Sequence, residues 1–76
     1  MITAAQIRAA RGLLDWSRER LSKESGIPLS TLADYENERT KSMLTANMGK
    51  IAAAFEKHGV EFISARGAAF KEERQK

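Results

Sequence analysis

The sequence predicts an all-α fold: a compact bundle of four helices, five if the last residues coil, with a short extended C-terminal segment. Three observations carry that reading. Apolar residues recur at helical spacing in separate short runs, these runs open beside Thr3, Ser17 and Thr45, and Gly26 and Gly59 stand where two of them stop.

Thr3-Ala4-Ala5-Gln6 fits a capping box, in which each polar side chain bonds the other's backbone N–H. Ile7, Ala10 and Leu14 continue on one face, so the first helix should run from Ala4 to Leu13. Gly12 weakens it by up to ~1 kcal/mol relative to alanine, and Asp15 and Trp16 break the pattern. Ser17 can cap the second helix, Arg18 to Ser25: its hydroxyl accepts from a free N–H, Glu19 suits the positive helix end, and Trp16 packs on Leu21 across the cap. Gly26 offers the left-handed backbone of a sharp turn, and Pro28 is tolerated where the next helix starts because no N–H is needed there. In the third helix, Leu29 to Asn37, Leu32 and Tyr35 face one way, while Leu29, Ser30, Ala33, Asp34 and Asn37 face the other. Helices this short persist only when packed.

Glu38 to Leu44 is polar and basic and reads as a loop carrying Arg39 and Lys41. Thr45 then caps a longer helix in which Met48, Ile51, Ala52 and Phe55 follow i, i+3, i+4, i+7. That helix should stop at Gly59, with Val60 returning against Phe55. Val60, Phe62 and Ile63, with Glu61 between them, suit a short extended segment. The chain thus divides into a folded domain, residues 1–63, and a charged tail, 64–76, expected to fray or, from Ala68 to Lys76, to form a marginal helix.

Size and composition bound the function. A chain of 76 residues is one domain, close to the lower limit at which a core suffices without staples. It has no cysteine, so neither a disulfide nor a thiolate zinc site can help, in keeping with a reducing cytoplasm. No stretch approaches the ~20 apolar residues of a membrane span, and no export signal opens the chain, so a soluble cytoplasmic protein is expected. The net charge is +3, but of 13 basic and 10 acidic residues four and two fall in 64–76, leaving nine and eight before it. The body is nearly neutral, and a case for nucleic acid must rest on where individual charges fall.

A helix, a short turn containing glycine and a second helix form a helix-turn-helix, whose second helix enters the DNA major groove. The run Leu21-Ser22-Lys23-Glu24-Ser25-Gly26-Ile27, then Leu32, then Tyr35-Glu36-Asn37, with Arg11 upstream and Lys50-Ile51-Ala52 downstream, resembles the Xre family of phage repressor and Cro-like regulators. The match extends over roughly residues 3–63 and is specific in spacing rather than in any single residue.

The resemblance implies a phage repressor-like fold and double-stranded DNA as the partner. It places Leu29, Ser30, Ala33 and Asp34 toward the bases: Ser30 can donate to or accept from a base edge, Leu29 can touch a thymine methyl, and Asp34 can accept from cytosine N4. No arginine or glutamine stands at these places for guanine or adenine, so DNA shape should carry part of the specificity. The plainer reading is four exposed helix residues. For phosphates, Arg18 stands where the family often has glutamine, beside Ser17 and the N–H groups of that helix end. Asn37, Arg39 and Lys41 match positions that touch the adjacent backbone, and Thr31 can add a hydroxyl; a solvated loop is the ordinary explanation of Arg39 and Lys41 alone. Glu38 replaces the glycine usual at its place, adds a negative charge, and leads one to expect a different turn. Arg11 and Glu36 fall where the family carries a structural ion pair, which would fix the orientation of the third helix.

A small body ending in an apolar segment gains from a second copy, so a homodimer is expected, with Phe55, Val60, Phe62 and Ile63 as its interface. The alternative is that these residues fold back on their own helices. Catalysis finds little support: His58 is the only histidine and sits where a helix C-terminus favours a cation, and the serines have no candidate base nearby in sequence. No metal, cofactor or small-molecule ligand is expected. The sequence thus reads as a small dimeric transcriptional regulator, a repressor by the commoner habit of the family, acting without a ligand domain. Its rival keeps the fold and changes the partner: a protein-binding module of antiactivator or antitoxin type, favoured by Leu29, Asp34 and Glu38 where strong DNA binders are polar or basic.

Overall fold

A computed structural model describes residues 2–38, 45–64 and 66–71. Four helices, α1 (Ala4–Leu14), α2 (Arg18–Ser25), α3 (Leu29–Glu36) and α4 (Thr45–Lys57), are followed by an antiparallel hairpin of β1 (Val60–Ser64) and β2 (Gly67–Phe70).

Local chemistry sets the helix ends. The N–H of Gln6 donates to Thr3 Oγ1 at 3.1 Å and that of Thr3 to Gln6 Oε1 at 3.0 Å, the reciprocal box that opens α1. Asp15, at φ 57, closes it in left-handed geometry, and the Trp16 N–H returns to the Arg11 carbonyl at 2.9 Å. Aspartate tolerates that region better than most side chains, so α1 ends without a glycine. Ser17 Oγ accepts from the Arg20 N–H at 3.0 Å to open α2, and Gly26, at φ 77, ends it.

The turn between α2 and α3 satisfies its own polar groups. Ser25 Oγ accepts from the Ile27 N–H at 3.2 Å, and Ser22 Oγ donates to the Ile27 carbonyl at 2.6 Å. Ile27 can therefore bury its side chain in mid-turn without stranding its backbone. Pro28 stands at the N-cap of α3 with no side-chain cap, and α3 stops at Glu36, one residue before the expected end. Glu38 then takes φ 60, so it occupies a left-handed position of the kind glycine favours and does not redirect the turn through another backbone region.

One core joins all four helices and β1. Ile7, Leu21, Ile27, Leu32, Ile51, Phe55 and Val60 are buried in it with Trp16, whose ring stacks on Phe55 at 5.6 Å. Phe62 meets Phe55 edge-on at 6.0 Å, and the Tyr35 hydroxyl donates to the Ile2 carbonyl at 2.8 Å, tying down the N-terminus.

Two expectations change here. The tail does not continue as a helix from Ala68: Val60 pairs with Phe70, Glu61 with Ala69, Phe62 with Ala68 and Ser64 with Gly67, and β2 packs against α1. Small side chains suit that close approach although they have little strand propensity of their own. Phe55 and Val60, expected at a dimer interface, are fully buried within one copy and have no surface to offer a second. Phe62 is half-buried, and Ile63, at a register shift in the ladder, is 63% exposed. Among the described residues no helix is long and apolar enough to cross a membrane.

Candidate nucleic-acid interface

The orientation of α3 is set at its last turn. Glu36 has no exposed side-chain surface, and Arg11 holds both its oxygens, Nε donating to Oε2 at 3.0 Å and Nη2 to Oε1 at 2.8 Å. A third donor of Arg11, Nη1, reaches the Trp16 carbonyl at 3.0 Å, so one guanidinium ties α1, the α1–α2 junction and α3 together. Arg8 adds a bond from Nη1 to the Glu36 carbonyl at 2.6 Å, and its other nitrogen lies 3.8 Å from the exposed Glu38 carboxylate. Cations at a helix C-terminus meet its unsatisfied carbonyls and the negative end of its dipole.

With Leu32, Tyr35 and Glu36 directed inward, the rest of α3 lies outward. Ser30 and Asp34 are exposed, Leu29 is 38% exposed, and Ala33 and Thr31 are half-buried. Leu29 and Ala33 line a shallow groove whose other wall is Arg11, Ser17, Arg18 and Glu19, so the start of α2 and one edge of α3 share a surface. Ser17 is exposed there, its oxygen engaged as the cap and its O–H still able to donate.

Arg18, expected at a phosphate, has its guanidinium held by two protein acceptors: Nε lies 3.4 Å from Glu36 Oε1, and Nη2 donates to Asn37 Oδ1 at 3.1 Å. Asn37 itself is exposed. Arg39 and Lys41 lie outside the described residues. Arg8 was missed from sequence, although its spacing of three from Arg11 puts both on one face of α1, the one signal available.

A second polar cluster joins α2 to α4. Arg20 lies over the Trp16 ring, 5.0 Å from its centroid, and donates to Glu24 at 2.9 Å. His58 packs edge-on against Trp16, its Nε2 3.5 Å from Glu24 Oε1. The hydrogen bond from Arg20 holds the Glu24 carboxyl below its ordinary value, against burial and with smaller help from the charge of Arg20 and from His58. The single histidine thus serves packing beside a helix end. Among the described residues no three histidine or carboxylate side chains gather as a metal site would need.

A family model described as helix-turn-helix matches residues 7–62, from the middle of α1 into β1. The chain belongs to the helix-turn-helix family of Xre and Cro-like regulators. No curated protein matches it. The family is one of DNA-binding regulators, and α2, the turn at Gly26 and α3 are the elements that give it its name.

Proposed function

We propose that this protein recognises a specific double-stranded DNA sequence as a small dimeric transcriptional repressor in the cytoplasm, with α3 in the major groove. The observation that carries the reading is the buried Arg11–Glu36 pair, which packs the inner face of α3, with Leu29 and Ala33 beside the start of α2 and Ser30 and Asp34 exposed. Ser30 would bond a base edge, Leu29 and Ala33 would meet thymine methyls, and Asp34 would accept from cytosine N4. Ser17, the first N–H groups of α2, Thr31 and Asn37 would meet phosphates, joined by Arg39 and Lys41. Arg18 lines the same groove as Ser17, with its guanidinium engaged by Glu36 and Asn37. This reading assigns the chain no enzymatic role.

Dimerisation is supported by the exposure of Ile63 and by the neighbouring groove of Ile2, Met48, Ala52 and Phe62. Two copies would set their α3 helices about one DNA turn, roughly 34 Å, apart on a two-half-site operator, and occupancy of that operator would block transcription.

A second reading rests on the outer face of α3, where Leu29 and Asp34 are exposed and no residue of the helix is cationic: a protein partner in place of DNA. Titration of a generic duplex separates the two. Binding at about micromolar strength in low salt that fades as salt rises supports DNA, whereas no binding in low salt supports the protein partner.

A further inference from the structure

We infer that Arg18 is a positioning residue that acts through Asn37, orienting its amide so that the Nδ2 donors are offered to a DNA phosphate. The inference rests on the duplex-binding reading above. Asn37 is the first residue past α3 and is exposed, a place where an amide ordinarily rotates freely. Arg18 removes that freedom, because a guanidinium only donates and its Nη2 bond at 3.1 Å can be made to Oδ1 alone. The oxygen is thereby held toward α2, and Nδ2 is turned to the other side of the amide. Arg18 is also drawn to the end of α3: its Nε lies 3.4 Å from Glu36 Oε1, on a carboxylate that is buried and gripped through both oxygens by Arg11.

The planar fork matters. One guanidinium can hold two acceptors on adjacent residues in a fixed relation, which a lysine ammonium does less rigidly and an apolar chain not at all. A guanidinium so engaged is poorly placed to spend those same donors on a phosphate. Its contribution to DNA binding then comes as order at Asn37 rather than as a released counterion.

The test is anisotropy titration of the full chain against a labelled generic duplex over a salt series, using wild type, Arg18→Met, Arg18→Gln, Asn37→Ala and the Arg18→Met/Asn37→Ala double variant. Arg18→Met should weaken binding about tenfold, the scale of one lost hydrogen bond, and leave the slope of log K against log salt nearly unchanged. Arg18→Gln, able to donate to Asn37 without a charge, should restore most of the loss, and the double variant should bind no worse than Asn37→Ala. A slope reduced by about 0.9, the value for one phosphate ion pair, together with additive losses, overturns the inference and leaves duplex binding intact. Should Arg18→Met fail to fold, the slope of Arg18→Gln decides. Wild type that ignores the duplex in low salt overturns the duplex reading and this inference together.

Discussion

Arg11 grips Glu36 through both carboxylate oxygens, at 3.0 and 2.8 Å, joining α1 to the end of α3 across 25 positions of sequence. Removing either partner leaves the other charged with no replacement nearby of equal geometry. Arg11→Ala should cost about 3–5 kcal/mol, as for other broken buried pairs, while Ser30→Ala, on the exposed face of α3, should stay within about 0.5 kcal/mol. Thermal melting of the two variants checks this, and similar midpoints would count against the clamp.

Gly26 and Glu38 both occupy left-handed backbone, at φ 77 and φ 60, and substitutions there should act in opposite directions. A Cβ at Gly26 would meet nothing within 4 Å, so Gly26→Ala costs only the conformational strain, about 1 kcal/mol. Glu38→Gly relieves strain and should stabilise by about 1 kcal/mol, since the exposed contact with Arg8 at 3.8 Å is worth little. It also removes a negative charge near the proposed DNA surface, so duplex affinity should rise. Denaturant unfolding with a parallel duplex titration measures both effects.

Glu24 gives the fold a pH dependence with a definite sign. Its carboxyl is held below its ordinary value of 4.5, chiefly by the hydrogen bond from Arg20. A depressed folded-state value means that the Glu24 contribution is fully present above 4.5 and is lost as pH falls through the lower, folded value. Glu24→Gln should therefore flatten the acid side of the stability curve below 4.5. Melting midpoints over an acid pH series, compared with wild type, read this directly.

What could be read from the sequence was the chemistry that acts over three or four residues. The Thr3–Gln6 box, the Ser17 cap, the bounds of α2 and the stop at Gly26 all depend on side chains beside the backbone they satisfy. The stretch 67–70 could not be read that way, because glycine and alanine have little strand tendency and β2 exists by pairing with β1 and packing on α1. The family pattern pointed to Arg11 and Glu36, but not to Arg8 as the cap of α3 or to Asn37 as an acceptor for Arg18. Those bonds join residues 28 and 19 positions apart, and only the packed helices bring them together.

If α3 reads bases, its outer residues should differ in what they determine. Ser30→Ala should change the preferred base at one position of each half-site while costing about 1–3 kcal/mol on the native operator. Thr31→Val should weaken all sequences alike, as a phosphate contact does. Selection of bound fragments from a random-sequence duplex pool, repeated for each variant, separates the two behaviours.

The central claim is that the surface formed by α3 and the start of α2 receives the duplex. Backbone amide resonances followed during a low-salt titration with duplex DNA test it most directly. The account predicts shifts concentrated at Ser17, Leu29, Ser30, Ala33 and Asp34 that reverse as salt is added. Shifts absent from those residues, or gathered instead on β1 around Ile63, would contradict it.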